Sequence, residues 1–256
     1  MYLWKCWRDT RGVLAVSLLL TGILFVFVLR QKIVLDHPVS FEKIPLIFPF
    51  FLTLQAFPVG FVAWLLGTFG VGRDLGDRGG SYVFTRPRSR AYFVWCDWGV
   101  GMAQLMPIVA LLNMVLGVLL HKIFVAAGDP FHGSVVIAGR MVTLAYIVWL
   151  NFGAAFLLAG LIFSLTYFST VLLKHAKGII YGAGVLAGYL FLEQVVPHYW
   201  PGIHLPKLVL QAFVQSNHDV TGISNHLGVS VAIRAAIILL FPLATQFVLQ
   251  QTDINQ

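Results

Sequence analysis

Six apolar runs, each close to or beyond the length that crosses a bilayer, decide what this chain can fold into. They fall at about 13–29, 44–69, 99–120, 141–172, 178–196 and 229–249. A hydrocarbon core ~30 Å thick takes about 20 predominantly apolar residues as helix. Lipid offers the backbone no hydrogen-bond partner, so a helix that satisfies its own N–H and C=O groups is the natural solution. The expected fold is an all-α integral membrane protein, a single transmembrane domain over 1–256 with six transmembrane helices. Composition agrees: 11% of residues are charged, against roughly 25% in soluble domains.

The segments around these runs add detail. Residues 1–12, MYLWKCWRDTRG, mix Leu3, Trp4 and Trp7 with Lys5, Arg8 and Arg11, which predicts a short N-terminal interfacial helix. The first run ends in Arg-Gln-Lys with no small-residue cleavage site, and reads as a retained anchor. The second carries Pro45, Pro49 and Pro58 and is expected to be kinked in its outer half. The fourth is long enough to tilt or protrude. In the fifth, Gly178, Gly182, Gly184 and Gly188 form two small-xxx-small pairs suited to close helix packing. Between the last two runs, LPKLVLQAFVQ at 205–215 is apolar but too short to span. It predicts short outer re-entrant helices before the sixth span.

Six crossings put both ends on one side. Ten of the 17 lysines and arginines fall in the N-terminal segment and the loops at 70–90 and 174–177, which the positive-inside rule makes cytoplasmic. The formal charge of +7 is spread beside apolar runs and forms no continuous basic face, so no nucleic-acid partner is expected; membrane lipids are. Cys6 and Cys96 lie on the reducing side, in no metal-type spacing. No G-x-x-x-x-G-K-[ST], H-E-x-x-H or G-x-S-x-G occurs, so any nucleotide-driven work needs another chain.

The longest early polar interruption, GRDLGDRGGSYVFTRPRSRAYFVWCDW from Gly72 to Trp98, holds five of the ten arginines. Arg and Asp supply charge-assisted hydrogen bonds, Gly79-Gly80 permits a sharp turn, and Pro87 restricts the exit. The loop could simply fix topology, or it could dock a cytoplasmic partner. Together with LWKCWRDTRG it resembles the membrane subunits of ABC-2 type transporters, which carry a Trp- and Lys/Arg-rich N-terminal helix, an acidic-Gly loop and a Pro-x-Ser-Arg element before the third span. The resemblance covers the chain thinly and the loop sharply. Aspartates stand where the family usually has glutamate, and Cys96-Asp97 replaces an expected Lys. It implies a coupling loop between spans 2 and 3, with Arg73, Asp74, Asp77, Arg78, Arg86, Pro87, Ser89 and Arg90 docking separate ABC ATPase subunits. It also implies a homodimer or heterodimer of permeases in a bacterial inner membrane, exporting by alternating access.

Elsewhere signals are weaker. Asn113, Asn151 and Glu193 are possible pathway residues, and Arg234, read as lying in the first turns of the last span, would snorkel. A path this poor in charge suits an amphipathic or lipid-like substrate. His198, His204, His218 and His226 with Asp219 could support a membrane-embedded metal enzyme, but their spacing fits no zinc pattern. Neither a metal nor a cofactor is expected, and the chain itself is not expected to be an enzyme. A static anchoring or assembly subunit is the other alternative.

Overall fold

A computed structural model describes residues 2–30, 58–69, 89–126, 134–137, 140–173, 177, 180–184, 187–188 and 220–251. Helix carries nearly all of them. The long elements are α1 (Tyr2–Arg30), α3 (Arg90–Ala126), α4 (Leu144–Leu172) and α5 (Val220–Gln251); α2 (Pro58–Thr68) is the described part of the second run. Among the described residues, four helices are long and apolar enough to cross a membrane: Leu3–Arg30, Arg90–Lys122, Val148–Leu172 and Gly228–Gln251. Their apolar residues lie all round the axis, as expected for helices bounded by protein on one side and acyl chains on the other.

The helix directions follow from their contacts. α1 and α3 run parallel: Cys6 clusters with Phe93 and Val94, Gln104 Nε2 donates to Thr10 Oγ1 at 2.7 Å, and Lys122 Nζ donates to the Val28 carbonyl at 2.7 Å. α4 runs against α3, so that Tyr167 shares the cluster with Val94 while Asn151 meets Asn113 further along. α2 runs with α4, Gly60 lying beside Ile162 and Gly67 beside Thr166. α5 runs against α3, with Trp95 Nε1 donating to Gln246 Oε1 at 3.1 Å. The starts of α1 and α3 and the ends of α2, α4 and α5 therefore gather at one end of the bundle. Cys6, Phe93, Val94, Tyr167, Val171 and Leu249 form a buried cluster there. A larger core lies where α2, α3 and α4 meet, built on Val59, Ala63 and Leu66, Leu105 and Ile108, Ala159 and Phe163.

Several boundaries differ from the sequence reading. Residues 2–12 do not form a separate interfacial helix; they continue into the first span as one helix of 29 residues. Gly12 has open space around it, and a mid-helix glycine costs only about 1 kcal/mol against alanine. α3 begins at Arg90, ahead of the expected 99, and runs through Pro107 to Ala126. Lys122, expected in a loop, is therefore helical. α5 begins at Val220, ahead of the expected 229, and runs through Pro242. The described residues also include one antiparallel hairpin, β1 (Ser134–Ile137) with β2 (Arg140–Thr143), paired Ile137↔Arg140. It occupies the foot of what the hydropathy assigned to the fourth span, moving that helix start from about 141 to Leu144. The prolines at 45 and 49 and the 205–215 segment lie outside the described residues.

Candidate functional site

The basic loop enters from α2 and leaves into α3 at the same end of the bundle. Its described margins are Phe69, whose N–H donates to the Leu66 carbonyl at 3.2 Å, and Ser89. Arg73, Asp74, Asp77, Arg78, Arg86 and Pro87 lie outside the described residues.

Ser89 and Arg90 have roles within the fold. Ser89 precedes the first residue of α3, and the Tyr92 N–H, three residues on, meets both the Ser89 carbonyl at 3.0 Å and its Oγ at 3.4 Å. This is N-cap placement, which satisfies a donor that the first helical turn would otherwise leave open. Arg90 Nη1 donates to the Leu249 carbonyl. A cation on the last carbonyls of a helix meets the negative end of its dipole, so the arginine that starts α3 closes the end of α5. At the far end Lys122 Nζ does the same for α1, donating to the carbonyls of Val28 and Leu29. α3 thus carries a capping cation at each end, one for each outer helix.

Between α3 and α4, Asn113 and Asn151 are both buried. Asn151 Nδ2 donates to Asn113 Oδ1 at 2.7 Å, and Asn113 Nδ2 donates to the Val148 carbonyl at 2.6 Å. They join two helices of one chain. Glu193, the third residue read as pathway-lining, lies outside the described residues. Trp98 Nε1 adds another crossing, donating to Ser164 Oγ at 2.8 Å.

Among the described residues the tightest glycine contacts between helices fall at positions the sequence did not single out. A Cβ on Gly67 would sit 2.9 Å from both the Phe163 carbonyl oxygen and Thr166 Cβ, and one on Gly101 would overlap the Phe163 ring. Of the four in the fifth run, Gly182 approaches Thr166 Cγ2 (3.3 Å for an added Cβ), while Gly184 and Gly188 have nothing within 4 Å among the described residues. Gly178 is outside them. Sequence offered no signal for Gly67 or Gly101, because what distinguishes them is the neighbour and not the spacing.

Arg234 is the seventh residue of the apolar window Gly228–Gln251, in the first turns of the crossing segment as expected. It is the fifteenth residue of α5 and is 7% exposed. Its Nη1 donates to Ser230 Oγ, and to the Ser230 carbonyl at 3.4 Å. Ser230 lies one turn toward the start of that window, so the side chain leans toward the nearer end of the span.

Of the outer histidines, 198, 204 and 218 lie outside the described residues, and no cluster of metal-ligating side chains occurs among the described ones. A shallow apolar groove opens between the first turns of α1 and α3, lined by Leu3, Tyr92, Trp95, Cys96, Val100 and Ala103. Comparison with models of known protein families, with curated proteins and with solved structures finds nothing that matches this chain.

Proposed function

We propose that the chain is the membrane-spanning permease subunit of an ABC-2 type exporter, moving an amphipathic or lipid-like substrate by alternating access. ATP is hydrolysed by separate ATPase subunits, and two permease chains form the working unit in a bacterial inner membrane. The observation that carries this reading is the basic loop of 70–90, which combines the Pro-x-Ser-Arg resemblance with a mechanical connection. Its exit is capped by Ser89 and tied by Arg90 to the last helix, so displacement of the loop would act on α3 and α5 together.

Two further observations support it. The directions of the described helices agree with six crossings: α4 and α5 run the same way, as the fourth and sixth of six spans would. The start of α1, both margins of the loop and the end of α5 also share one end of the bundle, as a cytoplasmic face with both termini requires. The remaining loop residues, Arg73, Asp74, Asp77, Arg78, Arg86 and Pro87, are assigned to the ATPase contact. Truncating or reversing one member of a buried charge pair at an interface costs about 2–5 kcal/mol.

The test is co-purification and substrate-stimulated hydrolysis with an ATP-binding-cassette ATPase encoded beside this chain, for wild type, Arg78→Glu and Asp77→Arg. Partner binding should fall at least tenfold in both variants. In the same cells a membrane-impermeant maleimide should leave Cys96, the more accessible of the two thiols, unmodified until lysis. Wild-type binding and stimulated hydrolysis in two correctly inserted variants would remove the docking role; labelling before lysis would reverse the orientation.

A further inference from the structure

We propose that the outward side of the first turns of α1, carrying Arg8 and Arg11, holds the phosphate of an anionic phospholipid. The inference needs only that α1 crosses the bilayer and not that the chain couples to an ATPase, so either can fail without the other.

One side of these turns packs within the chain and the other is open. Cys6 and Thr10, one turn apart, are buried, and Thr10 receives the hydrogen bond from Gln104 of α3. Trp4, Arg8 and Arg11 follow one another at i, i+4 and i+7 and so share one side of the helix. All three are exposed, the Arg8 side chain by 57%. The apolar window of α1, Leu3–Arg30, has 28 residues and is about 42 Å long, against about 30 Å of hydrocarbon. From Val13 to Leu29 it carries no charge. The excess length therefore falls on the turns before Val13, where tryptophan and arginine suit the headgroup zone. Helical side chains lean toward the N-terminus, so both guanidinium groups reach back toward Trp4 and Trp7, away from the acyl region.

This side of the helix matches a phospholipid from head to tail. Residues three apart on a helix are neighbours, with Cβ atoms ~5–6 Å apart, so Arg8 and Arg11 can meet the same phosphate. Each guanidinium can offer two parallel N–H groups to its oxygens. Asp9 meets Arg8 at Nε, 3.6 Å away, which leaves the two Nη groups at the tip. Asp9 is the one acid among residues 2–12, against Lys5, Arg8 and Arg11, so the balance of charge selects an anion. Further along the same side Leu19 and Val26 are exposed. They follow Arg8 by 11 and 18 residues, close to three and five whole turns. A lipid held at its phosphate by the arginines lays an acyl chain along them, whereas a free phosphate gains nothing from that stripe.

The test uses the full chain in maltoside micelles, titrated with short-chain phosphatidylglycerol and, separately, short-chain phosphatidylcholine, with bound lipid counted by native mass spectrometry. Wild type should bind the anionic lipid more tightly. Arg8→Gln and Arg11→Gln should each weaken it about fivefold, the equivalent of ~1 kcal/mol per cation, and leave phosphatidylcholine unchanged. Both side chains stand outside the packed core, so these variants should fold as wild type does. Arg8→Lys combined with Arg11→Lys keeps both charges and loses both forks, and should fall between wild type and the double glutamine variant. Equal phosphatidylglycerol binding by wild type and the glutamine variants would overturn the proposal. So would a lysine pair that binds as tightly as wild type, because diffuse attraction counts only charge. Displacement of phosphatidylglycerol by millimolar inorganic phosphate would overturn the lipid and assign the two arginines to a free anion.

Discussion

The seam between α3 and α4 and the attachment of the outer helices α1 and α5 are built on different principles. Half of the apolar window of α3 and of α4 is buried within the chain, against 22% for α1 and for α5. The seam is closed by shape: Phe163 fills the space over Gly101, and α2 comes down on the same helix through Gly67. The outer helices offer broad apolar faces to lipid, such as Leu19, Leu20 and Ile23 on α1 and Leu239, Leu240 and Leu243 on α5. Besides apolar packing, such as Val13, Leu14 and Leu18 of α1 on the central core, polar links fasten them, including Gln104 to Thr10, Trp95 to Gln246 and the two end cations. In lipid, apolar burial gives little net drive between helices, so close van der Waals fit and polar contacts decide which pairs stay together. The seam buries the larger share of its two helices, while the outer helices leave more of their surface open to what surrounds the chain.

That contrast can be broken most sharply at Gly67. Gly67→Val should cost about 3 kcal/mol, the upper end of ordinary overpacking, because the added carbons meet a backbone carbonyl and not the tip of a flexible side chain. The midpoint of unfolding in mixed micelles measures it, and a loss below about 0.5 kcal/mol, within the range of an ordinary surface change, would mean that α2 does not rest on α4 as described. A smaller effect is expected from the asparagine pair. A double-mutant cycle of Asn113→Ala and Asn151→Ala should return a coupling of about 0.6–1.7 kcal/mol, the range for hydrogen bonds between membrane helices. A coupling indistinguishable from zero would mean that this pair adds nothing to the seam beyond its shape. The smallest effects belong to the outer fastenings: Arg90→Met and Lys122→Met should each cost about 0.3–1 kcal/mol. They should add to within about 0.5 kcal/mol, since the two cations stand at opposite ends of α3. Strong non-additivity would show that the outer helices are coupled through the bundle, against the contrast drawn above.

Hydropathy located the apolar core of every described span, because lipid selects for it directly, but it did not locate the helix ends. A helix continues past the hydrocarbon boundary as long as its backbone bonds are made, which is how α3 gained Arg90 and α5 gained its first turns from Val220. The hairpin was legible in principle, since Ser-Val-Val-Ile and Arg-Met-Val-Thr flank the two residues Ala138-Gly139, a short connection with glycine in second place. The run of apolar residues after it drew the helix assignment too far back. Of the basic loop, the motif was legible while the internal roles of Ser89 and Arg90 were not. Capping Leu249 depends on where the far end of the chain returns, which no local pattern encodes.

The parallel pairing of α1 with α3 sets a timetable. Ala126 follows Arg30 by 96 residues in the chain, and at a synthesis rate of about 5–20 residues per second α1 waits roughly 5–20 s for the helix that Cys6 and Thr10 pack against. During that interval its hydroxyls are already engaged: Thr10 Oγ1 donates to the Cys6 carbonyl at 2.7 Å, and Thr21 Oγ1 donates to the Ser17 carbonyl at 2.7 Å. These bonds lie within one helix and need no neighbour. α1 can therefore stand in lipid with these two hydroxyls already satisfied until α3 is translated.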